Sequence, residues 1–518
     1  MFRSALRLYS TTLLACALTV TCAQAKARTV LTFLHFNDTY TFMPNDKGLG
    51  GFAPLQTLLT QEVRAAKGPT LITFGGDAIS PTALGGVTKG AHMIELLNAV
   101  GTQVAVPGNH EFDFGPAVLQ ERVQASRFPW LAANVVQKSN GAMCCGMREH
   151  ILVNMGGLKV GIFGLLTEET EGYSSVEPNQ IKPYLAVAAQ QVQALRSQGA
   201  EVIVALTHLA FEEDIALAKT KSVHLILGGH EHVAYAYYGN DVNDVLVLKV
   251  GQNEEMLGVV ELPVERGPSG VTVRPPTWKV LPVNQAPAPK VQTLVKKYAA
   301  QEDALKTVIG KTNVPLNTIA ALVRGVETPM GDVITDAMRQ ETKADVGLIH
   351  GFNFRGMQKE AGASLTHLNV LETLPFANTV VVVEMTGAQL QSALEHGVSG
   401  FGSTNSRDLS RFLQVSGLRM TYDPTRPARA PGCPSPAEGQ RVSAVTVGDA
   451  PLEMEKTYRV AINDFMAEGG NDFCMFASAP RVKTSGPAPL LTDVVVATIK
   501  QNKEVNQQSA RITAASGK

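Results

Sequence analysis

The sequence predicts an α/β protein of two domains, on three observations. Short apolar runs alternate with amphipathic stretches from Val30 onward, proline-rich punctuation interrupts the pattern past the middle, and the alternation then resumes. A chain of 518 residues exceeds what one ordinary core organises, so length alone favours more than one domain. Hydrophobic residues at 45% and charged residues at 18% supply enough apolar surface for cores of that size.

Residues 30–36, 70–74, 103–106, 159–165, 201–206 and 224–227 read as buried strands. Between them, 91–100, 116–124 and 186–198 carry the spacing of amphipathic helices, and 245–250 and 258–263 read as further strands that close the sheet. The alternation puts loops at the carboxyl ends of strands, where layered α/β proteins gather their functional side chains. Prolines at 275–276 and across 282–289 mark a boundary, and 290–308 reads as a charged amphipathic helix bridging two domains. The second domain has helices at 331–341 and 387–395, strands at 379–384 and 458–462, and a Pro-, Gly- and Ala-rich surface loop at 424–440. The division expected is 1–25 leader, 26–285 first domain, 286–308 linker helix and 309–518 second domain; no internal repeat is visible.

Residues 1–25 read as an export signal. Arg3 and Arg7 precede an apolar stretch at 11–21, and Ala23-Gln24-Ala25 fits a small-residue cleavage site. The expected location is periplasmic or extracellular, with a lipoprotein anchor at Cys16, after Leu13-Leu14-Ala15, as the alternative. No stretch is long enough to span a bilayer. Cys16 and Cys22 leave with the leader, while Cys144, Cys145, Cys433 and Cys474 remain for one or two structural disulfides. Cys433 with Cys474 is the expected pair; Cys144 and Cys145 are either bonded to each other or free thiols. A net charge of -1 gives no global attraction for a nucleic-acid polymer or an anionic membrane; a small anionic substrate would need only one local basic patch.

Four sets of loops after these strands carry metal-ligand residue types. They are Asn37-Asp38-Thr39-Tyr40, Gly75-Gly76-Asp77, Gly108-Asn109-His110-Glu111-Phe112-Asp113, and Thr207-His208 together with Gly228-Gly229-His230-Glu231-His232. Each alone fits a satisfied surface histidine or a helix cap. Their shared place at strand ends favours a metal centre, and mixed Asp, Asn and His donors suit Zn, Mn, Co or Fe better than Mg or Ca. Two such ions would acidify a shared water to hydroxide, aim it at phosphorus and neutralise phosphoryl charge.

On these motifs the chain resembles the calcineurin-like metallophosphoesterases, and in layout the exported 5'-nucleotidase / UDP-sugar hydrolase family, over essentially the whole mature length. The resemblance implies a layered β-sandwich phosphoesterase domain flanked by helices, then a mixed α/β domain that recognises substrate. It implies two divalent ions, with Asp77 bridging them, Asp38 and His232 on one, and Asn109, His208 and His230 on the other. His110 would face the phosphate, oriented by Asp113. The family's first loop is Asn-Asp-x-His, and Tyr40 stands where that histidine belongs; the expectation is a first ion with fewer protein ligands or more water.

In the second domain the resemblance rests on four segments: 324–332, with Arg324; 350–356, with Arg355; 374–378, with Phe376; and 464–472, with Phe465, Asn471 and Asp472. It implies that Phe376 and Phe465 sandwich a base, and that Arg355 and Arg324 clamp phosphate oxygens. His350 departs from the family's Asn, and Asn471 from an Asp that holds ribose hydroxyls; Asp472 is next door. The activity implied is phosphate release from nucleotides, with the site between domains that open and close about the Pro-rich linker. Alternatives are a 2',3'-cyclic-nucleotide phosphodiesterase, a nucleotide-sugar or sulfur-ester hydrolase, or a nucleotide-binding protein with a degraded first metal position. The sequence leaves oligomeric state open.

Overall fold

The computed structural model of the chain describes residues 27–268, 270–403, 406–433, 435–482, 488–506 and 510–515. The segment expected to be a leader, with Cys16 and Cys22, lies outside the described residues. No described helix is long and apolar enough to cross a membrane.

The first domain is a sandwich of two six-stranded sheets among the described residues. One runs Gly270–Val273, Met256–Gly267, Ala27–Phe36, Thr70–Phe74, Val104–Ala105, with Thr277–Pro282 also paired to Met256–Gly267. The other runs Ala234–Tyr237, Leu246–Val250, Leu225–Gly228, Val202–His208, Leu158–Leu166, His150–Met155. The central pairs in both are parallel. Alternation explains why the strands read as continuous apolar runs. Val202, Val204 and Leu206 face the inter-sheet core, while Ile203 and Ala205 face helices Tyr184–Ser197 and Phe211–Ala218. His35 ties the sheets together inside this core. Its Nδ1 lies 2.9 Å from Thr73 Oγ1, and its Nε2 3.0 Å from the carbonyl of Gly228 in the facing sheet.

The helix Pro289–Ala304 packs against the first domain through Val291, Val295 and Tyr298. It stops at Ala304, short of the residue 308 expected, because the β-branched run Thr307-Val308-Ile309 opens the strand Val308–Thr312. The helix Phe52–Ala65 escaped the sequence reading, its start marked by Gly51 at φ 83.

The second domain is built on a four-stranded sheet ordered Val380–Thr386, Thr457–Asn463, Val346–His350, Leu413–Ser416. Helices Pro329–Thr342 and Leu491–Asn502 cover one face through Ile334, Met338, Val495 and Ile499. Helix Gly387–Gly397 covers the other through Leu390 and Leu394. Cys433 is bonded to Cys474 as expected, and Cys144 to Cys145, which settles the alternative left open for that pair.

His92, in the helix Ala91–Val100, is buried against the edges of Phe42 and Tyr298, with Nδ1 2.7 Å from Thr88 Oγ1. Burial lowers its pKa to about 3 from 6.5. The unfolded chain therefore binds this proton below pH 6.5 while the native protein refuses it, so stability is full above that pH and declines as pH falls. One such group contributes a slope of about 1.4 kcal/mol per pH unit, and His92→Phe should remove it. Denaturant midpoints measured across the acid range check this.

Candidate metal centre and substrate cleft

The strand-end loops converge at one edge of the sandwich. Asp38, Asp77, His230 and His232 all adopt left-handed backbone angles, with φ of 53, 64, 85 and 55. Each such turn costs roughly 1–2 kcal/mol for a residue with a Cβ. That cost redirects the chain so the side chains aim into one small volume. Close approach needs glycine: a Cβ at Gly108 would lie 2.0 Å from Asp77 Oδ1, and one at Gly229 would lie 2.4 Å from the carbonyl of Gly75.

Asp38, Asp77 and His208 are buried, with ligand atoms within 4.8 Å of one another. Asp77 Oδ1 accepts from the backbone N–H of His110 at 2.9 Å, and Asp38 Oδ2 from that of His230 at 3.0 Å. His208 is held by its Nδ1, 2.7 Å from the carbonyl of Gly75. Its Nε2 points to within 3.3 Å of Asp77 Oδ2 without hydrogen-bond geometry, and Asn109 Oδ1 is buried with no hydrogen-bond partner among the described residues. Burial disfavours the charge on Asp77, but His208 and His110 outweigh it and hold the carboxyl below its usual range. His208 moves the other way: burial lowers it, yet Asp77 and Asp38 carry it up to about 9. Burial, with His208 beside it, lowers His230 to about 3, leaving its imidazole neutral. Orphaned donor atoms beside two buried carboxylates fit a cation.

Glu111 lies between His110 and Phe112 in the same motif. Its buried carboxylate accepts from the backbone N–H groups of Asp77 at 2.8 Å, Ala78 at 2.6 Å, Ile79 at 3.2 Å and Gly108, pinning two site loops together. Behind the histidines, the buried pair Lys249–Asp214, 3.1 Å apart, does the same for two others. Lys249 donates to the carbonyl of Leu209, and Asp214 accepts from Thr207 Oγ1. No local pattern signals these partners, because they are assembled by strands far apart in sequence.

His110 Nδ1 lies 2.6 Å from Asp113 Oδ2, and Ser174 Oγ donates to Asp113 Oδ1 at 2.7 Å. The carboxylate thus holds the ring in place. Tyr40 does not turn away. Its hydroxyl donates to Asp77 Oδ2 at 2.8 Å and lies 2.7 Å from His232 Nε2. Burial, with Asp77 and Asp38 adding to it, pushes the phenol well above its usual pKa.

The second domain faces this cluster. Arg355 senses Asp113 and Tyr40 electrostatically; its Nη1 donates to the carbonyls of Phe352 and Phe354, and its guanidinium lies 4.5 Å over the Phe376 ring. Asp464 accepts from Asn378 and Thr379, and Asn353 bonds both Asn378 and Asn463, locking the aromatic loops together. Phe376 and Phe465 do not stand as a bare pair. Phe352 lies nearly parallel to each, at 6.0 and 6.1 Å. His350 is buried with both ring nitrogens unpartnered among the described residues, and burial takes it to about 3. Arg324 Nε is also buried and unpartnered among the described residues. Asn471 is buried near Ser410, and the Asp472 carboxylate is engaged by Arg411 at 2.5 Å. A cleft of about 170 Å³ runs between the domains, lined by Ser174, Val176, Phe465, Asn471 and Asp472.

Ligand-bearing loops at one edge of a two-sheet sandwich define a calcineurin-like phosphoesterase, and the family model of that description matches residues 31–234. Residues 308–478 match the 5'-nucleotidase C-terminal domain. The chain therefore belongs to the two-domain 5'-nucleotidase family of metal-dependent phosphoester hydrolases. A 5'-nucleotidase of Diplobatis ommata is 28% identical over 92% of this chain and 88% of its own length. A trifunctional nucleotide phosphoesterase of Bacillus subtilis is 28% identical over 87% of this chain, which spans 32% of that longer protein. The crystal structure of a 5'-nucleotidase precursor from Thermus thermophilus superposes with a TM-score of 0.69 at 28% identity, covering 94% of this chain and 100% of that one.

Glu111→Ala would strand four backbone donors in the interior. We expect a loss of about 3 kcal/mol in the first domain and metal uptake weakened by about 10-fold or more. Unfolding curves of the metal-free protein and equilibrium dialysis of the variant measure the two effects.

Proposed function

We propose that this chain is an exported nucleotide phosphohydrolase working on two divalent ions, Zn, Mn, Co or Fe. Asp38, Asp77 and His232 would hold the first, and Asp77, Asn109, His208 and His230 would hold the second. The observation that supports the reading is the buried cluster of Asp38, Asp77 and His208, with His232 Nε2 3.3 Å from Asp38 Oδ1, together with the stacking of Phe352 on Phe376 and Phe465 in the second domain. The 5'-nucleotidases among its relatives support the substrate class.

When bound, the ions supply Lewis acidity: they acidify the attacking water and neutralise charge on the phosphoryl oxygens. The protein's own groups do the rest. Asp113 holds the His110 ring so that its free nitrogen meets the phosphoryl group or the leaving oxygen. Arg355, with Arg324 behind it, takes phosphate oxygens in a charge-assisted clamp. The aromatic rings present flat faces to a base, and Asn471, with an amide where a carboxylate would bind ribose more strongly, leaves sugar recognition weaker.

Phosphate release from a panel of nucleoside monophosphates, 2',3'-cyclic nucleotides, nucleotide sugars and ribose 5-phosphate, with the stripped protein reloaded by each metal, tests the reading. Monophosphate hydrolysis should require metal, vanish in Asp77→Ala and fall roughly 10²–10⁴-fold in kcat in His110→Ala. Nucleotide binding without release by any metal would make the chain a binding protein instead.

Phe465→Ala should raise KM for nucleoside monophosphates about 5- to 100-fold and leave ribose 5-phosphate hydrolysis unchanged. Steady-state kinetics on the two substrates distinguishes loss of stacking from general damage.

A further inference from the structure

The Tyr40 phenol ends inside the carboxylate cluster. Its oxygen lies 2.8 Å from Asp77 Oδ2, 3.3 Å from Asp38 Oδ1 and 2.7 Å from His232 Nε2. Asp38 Oδ1 is in turn 3.3 Å from His232 Nε2. Donors so spaced form the edges of a small polyhedron, since neighbours around an octahedral ion with bonds of about 2.1 Å sit roughly 3 Å apart. A phenol carries one proton, so hydrogen bonding accounts for one carboxylate contact and leaves the other as oxygen facing oxygen. The placement is built by the backbone. The left-handed turn at Asp38 swings the chain back, Tyr40 N–H donates to Asn253 Oδ1 at 3.1 Å, and the ring stands edge-on to His110 and His232.

Resting on the two-ion reading above, we propose that Tyr40 is itself a ligand of the first ion, through its phenol oxygen, and that it makes this position selective for ferric iron over zinc. The donors of the first position become Tyr40, Asp38, Asp77 and His232: three oxygens that carry three negative charges when the phenol is ionised, and one nitrogen. Such a set matches a hard trivalent ion, whereas zinc favours nitrogen and sulfur. On coordination the O–H bond breaks, the oxygen–metal bond forms and the proton leaves to solvent; no electron is transferred. The second position, richer in imidazole, keeps a divalent ion.

Colour tests this without reference to turnover. Phenolate on ferric iron absorbs visible light by charge transfer, and zinc or manganous ion does not. The stripped mature protein is loaded with ferric iron or with zinc, its metal content is assayed, and its visible spectrum is recorded beside Tyr40→Phe and Tyr40→His, with thermal melts confirming that each variant is folded. We expect a visible band in the iron-loaded wild type, no band in either variant, and an iron-to-zinc preference lowered about tenfold or more in Tyr40→His. Iron-loaded protein without colour, a band that survives Tyr40→Phe, or an unchanged preference overturns the inference. In those cases phosphate release with zinc or manganese leaves the two-ion reading standing. Loss of all metal binding and all release in wild type sinks both.

Discussion

Two carboxylates buried a few ångströms apart, Asp38 and Asp77, are the constraint around which the first domain is arranged. Ionised carboxylates in a low-dielectric interior repel each other and lose hydration, so the fold must bring them compensation. Backbone N–H groups of His110 and His230 arrive from loops of different sheets, and His208 is drawn to the protonated side by the same field. The left-handed turns and the glycines that admit close approach are the geometric cost of gathering those partners. A cation meets the same demand, which is why the arrangement reads as a metal centre before any relative is considered.

Much of this was legible in the chain. The strands 70–74 and 225–228 were found because both their faces are buried, and the ligand loops because Gly, Asp, Asn and His repeat directly after them. The His110–Asp113 pair was offered by the family resemblance alone, and the tight turn brings the two groups to 2.6 Å. Glu111 was not visible, because its value lies in four amides, three of them more than thirty residues away in sequence. Lys249 looked like one more lysine in a strand, and only the fold shows it buried on Asp214. In the second domain the aromatic loops were recognisable, but the stacking of Phe352 on both rings depends on three loops tied by Asn353, Asn378 and Asp464. Nor was the partner of Asp472 visible, since Arg411 reaches it from 61 residues away.

The division of labour between domains follows from what each can build. Parallel strand ends supply rigid, closely spaced donors suited to small ions, while the second domain supplies flat rings and guanidinium groups suited to a larger, softer outline. Arg355 links the two, since its charge is felt at His110 and its carbon lies over Phe376.

The helix Pro289–Ala304 gives this partnership an unexpected mechanical character. It is packed into the first domain, yet the carbonyls of Leu305 and Thr307, just past its end, accept from Leu368 and His367 of the second. The chain therefore crosses between the domains at a joint held by two backbone hydrogen bonds. A joint of that kind permits rotation about one point and resists separation. Rotation about such a joint would change the angle of the cleft without drawing the two domains apart.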